Sequence, residues 1–227
     1  MMTSFRGSAV SLSSYEAVVE RLTRAIHEGN KILVAGNGGS MADAMHFAEE
    51  LSGNFRQKRR ALPAIAFSDP SVLTCISNDF SFDEVFARQV EAIGKRGDCL
   101  ILLSASGQSA NLNRAAEVAR ENGIVVISFT GNIDSPLQKN SDFNISVGAS
   151  RWADRVQEIQ KVVIHSIVQD IESVTAFNGG KSNRAFDVNP QSSRYFFAPS
   201  GIQLKAGEGY FQSNIGLNSI SYGINDG

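Results

Sequence analysis

The residues Ile32-Leu33-Val34-Ala35 form an apolar run that stops abruptly at Gly36-Asn37-Gly38-Gly39-Ser40, and a helix-competent segment follows as far as Gly53. Few local patterns narrow the choice of fold as much. Glycines let a backbone approach a ligand closely, and a helix that starts directly after them presents free N–H groups. The stretch therefore reads as strand, phosphate cradle and helix. His46 and Glu50 lie four residues apart on that helix and so share one face. An anion site and a pair suited to acid–base work or metal ligation adjoin each other within ~2 helical turns. The residues alone leave open whether that pair is half of a site or a solvated pair on a helix surface.

The pattern recurs. Cys99 to Leu103 is a continuous apolar run, as a strand buried on both faces requires, and it breaks at Ser104-Ala105-Ser106-Gly107-Gln108-Ser109. A helix is expected from about Asn111 to Asn122. Further strands are expected at residues 61–67, 124–129 and 143–147. Further helices are expected at residues 14–28, from a Ser81/Glu84 capping box through Ile93, and at residues 153–174. Residues 72–76 form another short apolar piece, closed by Ser77-Asn78-Asp79, which reads as a turn able to reach sugar hydroxyls. Strands alternating with helices predict an α/β fold, a doubly wound parallel sheet flanked by helices, with ligand loops at the carboxyl ends of the strands.

Two loops in matching places strengthen each other. Serine hydroxyls, backbone N–H groups and a helix dipole hold a phosphate without needing Arg or Lys. The first loop lacks the terminal Lys-Ser/Thr of a nucleotide P-loop and the spacing of a dinucleotide fingerprint, which disfavours ATP and NAD. Gln157, Lys161 and His165 recur at four-residue intervals beside the apolar stripe of the last helix. The chain has three histidines, and the third, His27, sits where it favours a helix C-terminus. Read from residues alone, this is an anion-binding domain with a candidate His/Glu/Gln/His cluster.

Length and charge bound the rest. At 227 residues the chain accommodates one well-buried domain, and its net charge of −2 offers no electrostatic basis for nucleic-acid binding. No apolar run approaches the ~18 residues of a membrane span, and the N-terminus lacks a secretory pattern. Cys75 and Cys99 both lie among apolar residues and read as buried thiols of a reducing compartment, so a cytoplasmic location is expected. Residues 175–227 differ in kind, with eight glycines and no helical period. They read as a Gly/Asn/Ser-rich tail of unassigned role, made of short strands, an extended arm or unordered chain.

The segments AGNGGSMADAMHFAEELSG, LPAIAFSD, ISNDFSFDEVFARQVEAIGKRGDCLILLSASGQSAN and ADRVQEIQKVVIH resemble the sugar isomerase (SIS) domain family, and within it the phosphoheptose isomerases. The resemblance runs from about Tyr15 to Ile171 and implies a flavodoxin-like three-layer sandwich over residues 1–174. It implies conversion of sedoheptulose 7-phosphate to D-glycero-D-manno-heptose 7-phosphate through an enediol, supplying heptose to lipopolysaccharide or other surface glycans. It places substrate contacts at Asn37, Gly38, Gly39, Ser40, Glu50, Asn78, Asp79, Ser104, Ala105, Ser106, Ser109, Asp154 and Gln157. It places one zinc ion per subunit (Zn2+) at His46, Glu50, Gln157 and His165, with Glu50 and His165 as the catalytic pair. A homotetramer with sites shared between subunits is also implied.

Three departures stand beside the match. Ala105 occupies a position where the family usually has Thr, and Asn54 one where many members have Arg. The stretch ahead of the first helix is also shorter than usual. Weaker activity or altered assembly is the corresponding expectation. The competing reading is a non-catalytic SIS-domain binding protein, of the replication-initiator-associating or sugar-phosphate-sensing type. Such proteins typically lack the Glu and the second His, whereas this sequence keeps Glu50, Gln157 and His165.

Overall fold

Five apolar segments align side by side and run in the same direction. In the computed structural model they are β1 (Ile32–Gly36), β2 (Ala64–Ala66), β3 (Cys99–Ser104), β4 (Val125–Thr130) and β5 (Phe143–Ser146), in the order β2-β1-β3-β4-β5 with every pairing parallel. The structure describes residues 11–131, 134–148 and 150–177, and the backbone of 209–214 and 217–222. Central β3 is buried along its whole length, which explains its unbroken apolar run. Ile101 and Leu103 enter the core on one face, and Leu100 and Leu102 enter it on the other. Each such side chain contributes ~1.5–3 kcal/mol on burial.

Helices cover both faces. On one lie α1 (Leu12–His27), α2 (Gly39–Ser52) and α7 (Ala153–Phe177), which share a core with Ile101, Ile127 and Ile145. On the other lie α3 (Pro70–Asp79), α4 (Ala87–Ile93), α5 (Ala110–Glu121) and the short α6 (Pro136–Lys139). The three-layer, doubly wound expectation holds. The chain departs from the sheet in opposite directions after β1 and β3, so their loops open a crevice at the carboxyl edge, where this class of sheet takes its ligands.

Local expectations differ from the structure in several places. Residues 72–76 belong to α3, so Asn78 and Asp79 end a helix rather than follow a strand. The cause is Asp69, whose carboxylate accepts Ser71 N at 2.8 Å and Val72 N at 3.0 Å, with Pro70 in the first turn. Winding that run into a helix turns only Ile76 inward and leaves the Cys75 thiol exposed, which corrects the expectation that both cysteines are buried. The expected capping box at Ser81 does not form. Glu84 pairs with Arg114 at 3.1 Å instead of reaching back, and a 3-10 turn (Phe82–Glu84) precedes the short α4. Finally, α1 starts at Leu12, with Ser11 rather than Ser14 at its cap position.

The last helix continues to Phe177, three residues beyond the expected end at Val174. Within the tail, β6 (Gly209–Asn214) pairs antiparallel with β7 (Leu217–Tyr222), a short-strand element. The rest of the tail lies outside the described residues.

Candidate active site

Two helices build the cluster. His46 and Glu50 sit one turn apart on α2, and α7 packs beside it with His165 facing them. The Nε2 atoms of His46 and His165 are 2.9 Å apart, and Glu50 Oε1 lies 3.2 Å from the first and 3.6 Å from the second. Glu49 Oε1 lies 3.1 Å from His46 Nδ1, which leaves Nε2 facing the cluster. A shared proton satisfies this arrangement, and a shared cation satisfies it equally.

Glu50 is the unusual member. Its side chain is 8% exposed, yet Oε2 is buried with no hydrogen-bond partner. A buried carboxylate oxygen left unpartnered is costly and calls for a ligand or a chemical role. Burial, with help from Glu49, pushes its pKa above the usual carboxylate value against the opposing pull of His46, Lys161 and Arg56. His165 moves the other way. Burial first, then the positive groups His46, Lys161 and Arg56, hold its pKa below the ordinary histidine value. Both shifts favour the neutral forms, the usual sign of a partly dehydrated site. Three donors (two imidazole nitrogens and a carboxylate) whose ligand atoms lie within 4.8 Å of one another suit a zinc ion chemically.

The surrounding groups fix this cluster. The Phe55 ring stacks on His165 with centroids 6.1 Å apart and an angle of 24°. Lys161, one turn before His165, pairs with the buried Asp43 of α2 at 2.9 Å and so ties the two helices together. Gln157 is directed elsewhere. Its carboxamide packs so closely on Gly39 that a Cβ there would meet Oε1 at 2.6 Å, which places Gln157 at the first loop, roughly 10 Å along α2 from His46.

The two loops meet across the crevice. Asn37 and Asn111 exchange two amide hydrogen bonds of 2.9 Å each, joining the first loop to the start of α5. Gly36 has no room for a side chain, because a Cβ would stand 2.6 Å from Ser40 O. Gly38 takes φ +56 and leads into α2, whose start no side chain caps. In the second loop, Ser104 Oγ accepts Gly107 N at 3.0 Å and Ser106 Oγ accepts Gln108 N at 3.2 Å, which folds the loop over the end of β3. Ser104 is buried, Ala105 and Ser109 are half-buried and Ser106 is exposed. Ser109 precedes α5 without capping it by its side chain, so hydroxyls and N–H groups remain available there.

Other expected residues lie farther out. Asn78 and Asp79 are exposed and bonded to each other at 2.7 Å. Asp154 is exposed in the first turn of α7, with Oδ2 3.5 Å from Arg155 Nε. Asn54 is exposed and carries no charge into the site. Sequence reasoning missed Asn111, Phe55 and Asp43. Only the pairing of elements distant in the chain gives these three their roles, and no local signal marks them.

Comparisons with known proteins converge. The SIS domain family profile matches residues 9–131. The phosphoheptose isomerase of Edwardsiella ictaluri (strain 93-146) is 43% identical over 175 residues, spanning 77% of this chain and 91% of that protein. That of Vibrio cholerae serotype O1 is 43% identical over 176 residues, spanning 78% of this chain and 92% of its own length. Among solved structures, the phosphoheptose isomerase of Neisseria gonorrhoeae superposes with a TM-score of 0.67 at 38% identity, covering 72% of this chain and 87% of that one. A phosphoheptose isomerase from Francisella tularensis gives 0.69 at 30% identity, covering 73% and 88%.

Proposed function

The chain belongs to the SIS domain family, in its phosphoheptose isomerase group, and on that premise we propose that it interconverts sedoheptulose 7-phosphate and D-glycero-D-manno-heptose 7-phosphate. It is an isomerase acting on a phosphosugar. One observation carries the assignment to this cluster: Glu50, set between two histidines near the end of α2, presents a buried, unpartnered carboxylate oxygen.

Moving a carbonyl from C2 to C1 requires a proton to leave C1 and another to arrive at C2, through an enediol. Glu50 Oε2 takes the C1 proton and returns one to C2. His165 moves the proton between the two oxygens. Groups in these roles contribute ~10²–10⁴-fold each. The pKa of Glu50, raised by burial, makes it a stronger base than an exposed carboxylate. The phosphate lies at Ser104, Ala105, Ser106 and Ser109, where hydroxyls and the start of α5 receive it without a formal positive charge. Asn37, Gly38, Gly39 and Ser40 line the sugar, with Gln157 closing over Gly39. Asn78, Asp79 and Asp154, exposed in the single chain, would add hydroxyl contacts only where sites are shared between subunits.

His46, Glu50 and His165 would hold a zinc ion, while Gln157, expected as a fourth ligand, packs on Gly39 instead. When bound, zinc would polarise the sugar carbonyl or lock the cluster in place. Assembly into a homotetramer with shared sites draws support from the apolar side chains Ile65, Val72, Phe80 and Phe82, all exposed around β2 and α3 in the single chain. Residues 1–174 then form the catalytic domain and 175–227 an appended tail. Both cysteines are free thiols, which supports a reducing cytoplasm, and no helix among the described residues is long and apolar enough to cross a membrane. The product feeds lipopolysaccharide or another surface glycan.

A coupled assay with sedoheptulose 7-phosphate, run with and without a zinc chelator, tests the proposal. Turnover that the chelator abolishes and zinc restores is the expected result. Binding of the sugar phosphate without turnover by zinc-replete protein would reduce the chain to a sugar-phosphate binding module.

A further inference from the structure

The end of α2 is held in an unusual way. Its last turn contains Glu50 and no basic residue, and it closes on Gly53, whose N–H reaches only Glu49 O. The remaining carbonyls of a helix end need other donors. Arg59 supplies them from beyond the following loop: Nη1 donates to Leu51 O at 2.8 Å and Nη2 donates to Glu50 O at 2.5 Å. The Arg59 side chain is 3% exposed, and its Nε lies 3.2 Å from Oε1 of Glu172, which is 4% exposed and belongs to α7. That contact is an ion pair rather than an aligned hydrogen bond. Glu172 also accepts Arg56 N at 3.2 Å and Gln57 N at 3.3 Å.

The loop between Gly53 and Arg59 carries Phe55, whose ring stacks on His165. It also carries Arg56, which lies over Phe55 at 5.0 Å and donates to Gln169 of α7 at 2.6 Å. The buried pair thus touches each element of the cluster at one remove. It grips the backbone of Glu50, the loop that packs on His165, and the helix that bears His165. A cation at a helix C-terminus is favourable in itself, and a guanidinium fork serves two carbonyls and a carboxylate together, as an ammonium cannot.

We propose that Arg59 and Glu172 are a positioning pair, which sets the spacing between the α2 half of the cluster (His46, Glu50) and the α7 half (His165). The pair touches no substrate and acts through the backbone of Glu50 and the Phe55 stack. The inference rests on reading the cluster as the proton-transfer and metal site, and the test separates the two.

Arg59→Ala and Glu172→Gln are compared with the parent by zinc competition against a chromogenic chelator and by steady-state kinetics with sedoheptulose 7-phosphate. The ring-proton signals of His165 are followed in the metal-free proteins. Arg59→Ala is expected to weaken zinc binding ~10–100-fold and to lower kcat in similar proportion, with KM within about twofold, as loss of an outer support does. The His165 signals are expected to lose the displacement caused by the Phe55 ring. Glu172→Gln gives the same pattern at smaller size and decides the matter if Arg59→Ala does not fold. Folded variants with parental zinc affinity and unmoved His165 signals overturn the proposal. If the parent itself binds no zinc, the metal reading fails, and the His165 signals alone judge the pair.

Discussion

The two halves of the proposed site are built on opposite principles. At the α2–α7 end, ionisable groups are packed together around a buried carboxylate, with Glu50 8% exposed and its Oε2 unpartnered. At the other end, the loop from Ala105 to Ser109 offers hydroxyls and N–H groups, no charged side chain, and an exposed Ser106. The contrast matches two tasks. A proton must be moved by a group whose basicity is tuned through dehydration, whereas a phosphate dianion need only be held, by dipoles that remain wet. The first end should therefore control kcat and the second KM.

The largest break comes from Glu50→Gln, which keeps shape and removes the base. A loss of ~10²–10⁴ in kcat is expected with little change in substrate affinity, measured by steady-state kinetics alongside calorimetric binding. Retained turnover would take the role of base away from Glu50. Next is Gly36→Ala, which affects the scaffold beneath the first loop and not the chemistry. The added Cβ would stand 2.6 Å from Ser40 O. Overpacking of this kind costs about 1–3 kcal/mol, so the thermal midpoint should fall. An unchanged midpoint would show that the turn into α2 has slack.

Ser106→Ala probes the opposite end. Removing one hydroxyl from the phosphate should raise KM about tenfold, the equivalent of about 1.4 kcal/mol, and leave kcat in place. A fall in kcat instead would erase the proposed division of labour. The smallest effect concerns pH. Because burial raises the Glu50 pKa, the base is lost as pH falls through a value above the ordinary 4.5. The acid limb of kcat/KM should lie above that value in the parent and stay in place in Ser106→Ala, and a limb at or below it would contradict a dehydrated Glu50.

Much of the cluster end was legible in sequence because its signals are local. The unbroken apolar run of β3 declares a central strand, and the spacing of His46 and Glu50 declares a shared face. His165 joins them only through helix packing across 119 positions in the chain, a contact that no periodicity encodes. At α3 the five-residue apolar run points one way and Asp69-Pro70 just ahead of it another, and the cap prevails, which winds the run into a helix and exposes Cys75. Asn111, Phe55 and Arg59 gain their roles from partners far away in the chain, so their neighbours in sequence say nothing about them.

The central claim is that Glu50 moves a carbon-bound proton through an enediol. Isomerisation of sedoheptulose 7-phosphate in D2O, with the product examined by NMR, tests it most directly. The account predicts deuterium at C2 of the product made by the parent enzyme, and neither turnover nor exchange with Glu50→Gln. Full turnover by Glu50→Gln, or deuterium entering at the parental rate in that variant, would contradict it.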